Sequence, residues 1–258
     1  MPMLAANGET IHYESTGSGP VVVLLHGLGT SGKMWTRQIE ALKDRYSVVT
    51  LDCRGHGQSS ANGEMNLATS AKDLRAVLDH LGCKDCHLIG LGMGGAVALH
   101  FNAQSPAMVR SIVFADFAAK PAQNSNDTVI ARREAIAYIS MPEFATQYAA
   151  EHLMFTTPLD VQDEVAAMIA GMNSKIYLQA MQQTLLEDFS PLVDAVKAPV
   201  LVLVGANDMV VTKPMAEAFA RSISGATLEV ILSASHLSNI DNPDAFNEAS
   251  RKFLDRVG

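Results

Sequence analysis

Residues His87 to Leu99 read HLIGLGMGGAVAL, an apolar run that stops at a cluster of glycines and continues as an alanine-rich segment favouring helix. A sharp strand-to-helix turn through small residues is typical of a G-x-S-x-G elbow, in which the central residue stands exposed above a parallel sheet. Gly90 and Gly94 hold the outer positions, where small residues let strand and helix approach closely. The central position is Gly92, so the elbow is predicted without its serine nucleophile.

Two more strands are predicted before the elbow, and each ends in a polar or glycine-rich loop. The run Val21 to Leu25 is continuously apolar and β-branched, as in strands buried on both faces of a parallel sheet. It is followed by His26-Gly27-Leu28-Gly29, which would expose backbone N–H groups at the ligand-binding edge of the sheet. The strand Tyr46 to Leu51 leads into DCRGHGQS at 52–59, whose polar side chains we expect to hold loops together by hydrogen bonds.

The rest of the chain alternates strands and helices until Phe117. Asn7-Gly8 between two short β-favouring runs predicts an opening hairpin. Between Phe117 and Ser190 only helical patterns occur, so we expect a helical unit inserted between strands. The other predicted strands are Cys86–Leu91, Met108–Ala115, Val200–Gly205 and Thr227–Leu232. The predicted helices are Lys33–Asp44, Leu67–Leu81, Met93–Gln104, Thr128–Tyr138, Pro142–Met154, Val161–Asn173, Lys175–Leu186, Pro214–Ser222 and Asp244–Val257.

Together these motifs resemble the α/β-hydrolase family over nearly the whole chain. They are HGLG after one strand, DCRGHGQS after the next, the glycine elbow after the third, and a late histidine, His236. The ending ASHLSNIDNPDAFN, Ala234 to Asn247, is most similar to the 3-oxoadipate enol-lactonase branch and its esterase relatives. The resemblance implies a mostly parallel, eight-stranded α/β-hydrolase sheet, a core of residues 1–117 and 191–258, and a helical cap of residues 118–190.

The resemblance also implies a role for particular residues. Asp208 would be the acid and His236 the base of a catalytic triad whose nucleophile position is Gly92. The backbone N–H groups of Leu28 and Met93 would form the oxyanion hole.

Two other residues remain candidates for parts of that chemistry. Asp116 follows the strand Met108 to Ala115 and is an alternative acid. Cys53, a thiol near a strand's carboxyl end, is a possible substitute nucleophile.

Three functions are compatible with this pattern. In the first, the chain is an inactivated serine-hydrolase-type carboxylic ester or lactone hydrolase with glycine in place of serine at position 92. Alternatively, it is an enzyme in which the Asp208 and His236 pair acts as general base on water or a substrate C–H bond. In the third, it is a receptor that kept the pocket and lost turnover.

Composition excludes several partners. The chain has 258 residues, 48% of them hydrophobic, and a net charge of −8, without the basic clusters that nucleic-acid binding needs. No apolar run is long enough to span a bilayer and no signal peptide is evident, so a cytoplasmic protein is predicted.

No cofactor or metal motif is found. Cys83, Cys86 and His87 form C-x-x-C-H, but without the signal for export that haem attachment requires. Gly90, Gly92 and Gly95 form only a weak dinucleotide fingerprint.

Overall fold

A single sheet forms the centre of the molecule, which is seen in a computed structural model that describes residues 2–63 and 65–258. Within those residues it has eight strands in the order β1-β2-β4-β3-β5-β6-β7-β8. The strands are β1 (Met3–Ala6), β2 (Glu9–Thr16), β3 (Val21–Leu25), β4 (Ser47–Leu51), β5 (Cys86–Leu91), β6 (Val109–Ala115), β7 (Val200–Gly205) and β8 (Thr227–Ile231). β2 runs antiparallel to β1 and β4, and all other neighbours are parallel. The predicted mostly parallel, eight-stranded sheet is confirmed.

The opening hairpin is formed by the turn that the sequence predicted. Asn7 and Gly8 have φ angles of 48° and 84°, the left-handed values that a two-residue hairpin turn requires at both positions. Asparagine tolerates this conformation better than other residues with a β-carbon, and glycine adopts it without steric cost.

The nine predicted helices all form, with ends that shift by a few residues, and two short helices that the sequence did not predict are added. The helices are α1 (Thr36–Leu42), α2 (Leu67–His80), α3 (Met93–Gln104), α4 (Ser125–Tyr138), α5 (Met141–His152), α6 (Leu159–Ala170), α7 (Ser174–Leu186), α8 (Ser190–Val193), α9 (Lys213–Arg221), α10 (Ser238–Asp241) and α11 (Pro243–Val257). The two added helices are α8 and α10. The central strands β3 to β7 are buried along most of their length, as their continuous apolar runs predicted, whereas the edge strand β8 is largely accessible.

One predicted helix is shorter than expected. The sequence predicts a helix over Lys33–Asp44, whereas the chain forms a 3₁₀ turn over Gly32–Trp35 before α1 begins. The side chain of Asp52 accepts a hydrogen bond from Gly32 N at 2.8 Å. This bond, which joins two loops, fixes the backbone at the start of the turn, and α1 begins only beyond it.

Residues 118–190 lie between β6 and β7 and contain helices but no strand. α5 packs against α6, and α4 packs against α7. The N-terminus of α5 is stabilised by its sequence, because Ser140 and Glu143 form a reciprocal capping box at its first turn.

Polar residues of the DCRGHGQS loop tie neighbouring segments together. Besides Gly32, Asp52 accepts a hydrogen bond from Gln58 N at 2.9 Å, and its other contact is His12 Nδ1 at 3.0 Å. Arg54 pairs with Asp73 through two bonds of 2.8 Å each. The predicted loop-holding role of this segment is confirmed.

Across residues 2–63 and 65–258, no helix combines the length and the apolar character needed to cross a bilayer. The cytoplasmic location suggested by the sequence remains a prediction.

Candidate active site

Gly92 forms the turn between β5 and α3. Its backbone has φ 52° and ψ −113°, a strained conformation for any residue with a β-carbon. The flanking glycines are required by packing, because a β-carbon on Gly94 would stand 2.1 Å from Leu25 O and one on Gly90 would stand 2.4 Å from Gly94 O. The strand and helix therefore approach as closely as the elbow pattern predicts.

His236 and Asp208 meet at the same edge of the sheet, although they follow different strands. Asp208 Oδ2 lies 2.9 Å from His236 Nδ1. The other carboxylate oxygen of Asp208 accepts hydrogen bonds from Val210 N at 2.7 Å and Val211 N at 3.0 Å. Both oxygens of the Asp208 carboxylate are thus held in position. This favours the His236 tautomer that is protonated at Nδ1 and leaves its Nε2 free to take a proton.

The free nitrogen of that imidazole faces the elbow. A β-carbon placed on Gly92 would lie 3.6 Å from His236 Nε2, and the next nearest atom, Asp116 O, would be 4.0 Å away. A small side chain at position 92 has room here, and it would point at the histidine.

Electrostatics favour a basic His236. Burial alone would lower the pKa of His236, but the charge and hydrogen bond of Asp208, with a further contribution from Asp116, raise it above its usual value of 6.5. The imidazolium form is therefore stabilised where a proton would be accepted.

Asp116, the alternative acid, makes other contacts. It is fully buried, has φ 48°, and accepts hydrogen bonds from Gly205 N at 2.8 Å and from Ser238 Oγ at 2.5 Å. Burial, together with the nearby charge of Asp208, raises the pKa of Asp116 to about 7. The geometry thus brings Asp208, and not Asp116, into hydrogen bonding with His236.

Leu28 and Met93 line the same cavity as Gly92 and His236. Met93 is the first residue of α3, so its N–H has no acceptor within the helix. The loop that carries Leu28 is anchored by His26, whose Nδ1 lies 2.8 Å from Gly27 O and whose Nε2 accepts a hydrogen bond from Cys53 N at 2.9 Å. Four of the five residues predicted for the site, Gly92, His236, Leu28 and Met93, therefore line one cavity. The fifth, Asp208, contacts His236 from outside that lining.

The cavity has a volume of about 290 Å³ and is closed on one side by residues 118–190. Polar side chains of that segment that sequence reasoning missed are Lys120, Arg132, Tyr148, Glu151 and His152. Tyr148, Glu151 and His152 share one face of α5, whereas Arg132 lies on α4 and Lys120 precedes it. The sequence does not show that these separate segments meet at one cavity, and a polar residue facing inward from a helix carries no local signal. A larger cleft, about 1370 Å³, lies between α6, α7 and the loops after β3 and β4, and contains none of the predicted site residues.

Cys53, the possible substitute nucleophile, does not line this cavity. It is completely buried, and burial raises the pKa of its thiol far above the usual range. Among residues 2–63 and 65–258, no three histidine, cysteine or acidic side chains are grouped so that they could hold a metal ion.

The parallel sheet, the glycine elbow and the acid–histidine pair at its carboxyl edge define an α/β hydrolase. The chain belongs to the alpha/beta hydrolase family, whose sequence pattern it matches over residues 22–249. It is 31% identical over 258 residues to 3-oxoadipate enol-lactonase 1 of Acinetobacter baylyi, covering 97% of this chain and 95% of that protein.

Solved structures agree with this assignment. The enol-lactonase of Burkholderia xenovorans LB400 superposes with a TM-score of 0.90 at 25% identity, covering 98% of this chain and 100% of that one. A malate-bound thermophilic esterase from Thermogutta terrifontis superposes with a TM-score of 0.88 at 28% identity, covering 99% of this chain and 97% of that one. The recognised family and fold are confirmed, and the relatives are hydrolases.

Proposed function

We propose that this chain binds a carboxylic ester or lactone and, with Gly92 at the nucleophile position, is a serine-hydrolase-type protein impaired in turnover. The ligand would lie between a core of residues 1–117 and 191–258 and a cap of residues 118–190. The relatives named above, an enol-lactonase and an esterase among them, support this ligand class.

The 3.6 Å separation between His236 Nε2 and the β-carbon position of residue 92 carries the proposal. A serine hydroxyl attached there would come within the hydrogen-bonding reach, about 2.6–3.2 Å, that a nucleophile and its base require. His236 would take the hydroxyl proton and return it to the leaving group, while Asp208 would stabilise the imidazolium.

Gly92 removes the hydroxyl but leaves the remaining groups. The N–H groups of Leu28 and Met93 are proposed to polarise the ligand carbonyl, and such donors are typically worth about 3–4 kcal/mol each in the transition state. No acyl-enzyme can form on Gly92, so a bound ester stays intact for longer than in a serine enzyme.

The experiment compares the chain with Gly92→Ser and with Gly92→Ala, which adds the same β-carbon without the hydroxyl. Short p-nitrophenyl esters report hydrolysis, and a fluorophosphonate probe reports a reactive serine. We expect covalent labelling and at least about a hundredfold faster hydrolysis for Gly92→Ser alone, since losing the nucleophile of a serine hydrolase costs far more than that. The proposal is wrong if serine gives neither labelling nor that gain.

A second candidate uses the Asp208 and His236 pair as general base on water or a substrate C–H bond. The space beside His236 Nε2 that glycine leaves open favours it, because a small molecule can stand where the hydroxyl would be. Turnover by the Gly92 chain that His236→Ala abolishes would support this candidate. Ligand binding without turnover, both by the Gly92 chain and by the Gly92→Ser variant, would instead indicate a receptor.

A further inference from the structure

Arg132 of α4 reaches the cavity that contains Gly92 and His236 and is held there by two aromatic rings. Its Nη2 donates a hydrogen bond to His152 Nε2 at 2.7 Å. Its guanidinium carbon lies 5.3 Å from the ring centroid of Tyr148. The arginine is half-buried and fixed in position before any ligand arrives.

The contacts of His152 fix its ring so that Nε2 accepts the hydrogen bond from Arg132. Its Nδ1 lies 2.8 Å from Tyr148 O, one helical turn earlier, so the ring proton belongs on Nδ1 and Nε2 accepts. Its ring also stacks on Tyr148, with centroids 3.8 Å apart and planes within 5°. Burial, and then the charge of Arg132, lower the pKa of His152 well below its usual value, which keeps it neutral. We call Arg132, Tyr148 and His152 the arginine clamp.

The clamp leaves the positive charge of Arg132 without an acidic partner. None of the ion pairs formed among residues 2–63 and 65–258 includes Arg132. A guanidinium carries five N–H donors in a planar fork that matches a carboxylate. His152 accepts from one nitrogen, and the buried Tyr177 hydroxyl is a further polar neighbour of the group.

Two further charged side chains line the cavity. Lys120 adds a second positive charge, and Glu151 a negative one. Both are exposed, so water screens them more strongly than it screens Arg132. The half-buried cation therefore dominates the charge that a bound ligand meets in this part of the cavity.

The clamp lies next to the candidate catalytic histidine. The ring centroids of His152 and His236 are 5.7 Å apart at an interplanar angle of 66°, so one imidazole ring separates Arg132 from His236. A ligand carbonyl at Gly92 and an anionic group at Arg132 would be joined by a short chain.

We propose that the ligand of this cavity carries a carboxylate that binds Arg132, a short chain away from the ester or lactone carbonyl that faces Gly92 and His236. The position of the carbonyl rests on the proposed function above, whereas the carboxylate site rests on the clamp alone. The Gly92 chain is well suited to a test, because slow turnover lets ligand binding be measured directly.

The experiment titrates the Gly92 chain with monomethyl glutarate, which has one free carboxylate, and with dimethyl glutarate, its neutral counterpart, and follows binding by NMR. We expect the monoester to bind at least about tenfold more tightly than the diester. Arg132→Gln should weaken the monoester by about 10- to 100-fold, as expected for a lost charge-assisted hydrogen bond, and leave the diester unchanged. Arg132→Lys, which keeps the charge but not the fork, should fall between the two.

Arg133→Gln is the matched control, because Arg133 is the next residue of α4 and is exposed. It should leave both affinities unchanged, and the unfolding midpoint of each variant shows whether the fold is intact. Equal binding of the two esters, a preference that survives Arg132→Gln, or no binding of either ester up to tens of millimolar would each overturn the inference.

The ester-binding titration and the labelling of Gly92→Ser give independent results. Fluorophosphonate labelling of Gly92→Ser without a monoester preference would reject the carboxylate site and keep the proposed function. A monoester preference that depends on Arg132, without labelling of Gly92→Ser, would do the reverse.

Discussion

His236 Nε2 lies 3.6 Å from the point at which a β-carbon on Gly92 would stand, nearer than any other atom outside the turn itself among the described residues. The separation means that substitution at position 92 is limited by backbone conformation and not by space. At φ 52° and ψ −113°, glycine is the residue that tolerates the turn best. Glycine at this position therefore relaxes the elbow.

Gly92→Ala and Gly92→Ser should lower the free energy of unfolding by similar amounts, about 1–3 kcal/mol, because both place a β-carbon in the strained backbone conformation. Urea denaturation of the three proteins measures this. The two variants would thus share a loss of stability, whereas only Gly92→Ser gains activity.

Gly94→Ala is the contrasting control at the same turn. Its β-carbon would overlap Leu25 O at 2.1 Å, so strand and helix must separate, and we expect a much larger loss of stability or no folded protein. Unchanged stability in Gly92→Ala would show that the elbow backbone relaxes when a side chain is added.

The Gly92→Ser variant should lose activity on the acid side at a pH above 6.5. Neutral His236 is the base, so kcat/KM falls as the pH drops through its pKa, and that pKa is raised by Asp208 against the opposing effect of burial. A profile of kcat/KM for Gly92→Ser between pH 5 and 9 measures the midpoint.

The effect of the two neighbouring acids on that midpoint should differ. Removing the charge of Asp208 should move it to lower pH by more than removing the charge of Asp116, because Asp208 also makes the hydrogen bond to the ring. A midpoint at or below 6.5 in Gly92→Ser would contradict the raised pKa of His236.

Much of the fold was predictable because its signals are local. The bounds Cys86–Leu91 and Met93–Gln104 were predicted without error, since a continuous apolar strand ends at a glycine that begins the next helix. The start of α1 was not, because the 3₁₀ turn before it depends on Asp52, a residue 20 positions away from Gly32.

The candidate site was predictable only where a strand end marked it. Asp116 and Asp208 both follow strands, and nothing local distinguishes them. The family resemblance favours Asp208, and the 2.9 Å contact with His236 agrees with that choice. Arg132 and His152 were missed because their pairing joins two helices whose relative placement is a property of tertiary packing.

Asp208→Asn in the Gly92→Ser background should reduce kcat by about 10³- to 10⁴-fold, the loss typical of a triad whose histidine adopts the wrong tautomer. Asp116→Asn should reduce it far less, because Asp116 binds Gly205 N and Ser238 Oγ instead of the imidazole. Steady-state kinetics on one p-nitrophenyl ester compare the two variants. A larger loss for Asp116→Asn would reassign the acid.

Cys53 should be unreactive in the folded protein. It is completely buried and its pKa is raised by burial, as is that of Cys86, whereas Cys83 is partly exposed. A thiol reagent such as Ellman's should therefore modify Cys83 first and the other two only on unfolding. Cys53→Ala should leave any turnover by the Gly92 chain intact, and loss of that turnover would revive Cys53 as a substitute nucleophile.

Arg54→Met should lower the free energy of unfolding by about 3–5 kcal/mol, because it leaves Asp73 as a buried carboxylate without its ion-pair partner. Both side chains are at most 7% exposed, and the pair makes two hydrogen bonds of 2.8 Å. Arg75→Met removes the exposed partner of Asp79 on α2 and should cost no more than about 1 kcal/mol. Urea denaturation of both variants tests whether the loss of stability comes from the burial of the ion pair or only from the proximity of the two charges. Equal losses would mean that water reaches the Arg54 and Asp73 pair, whereas a large loss for Arg54→Met alone would show that this loop, which borders the larger cleft, is held by a desolvated ion pair.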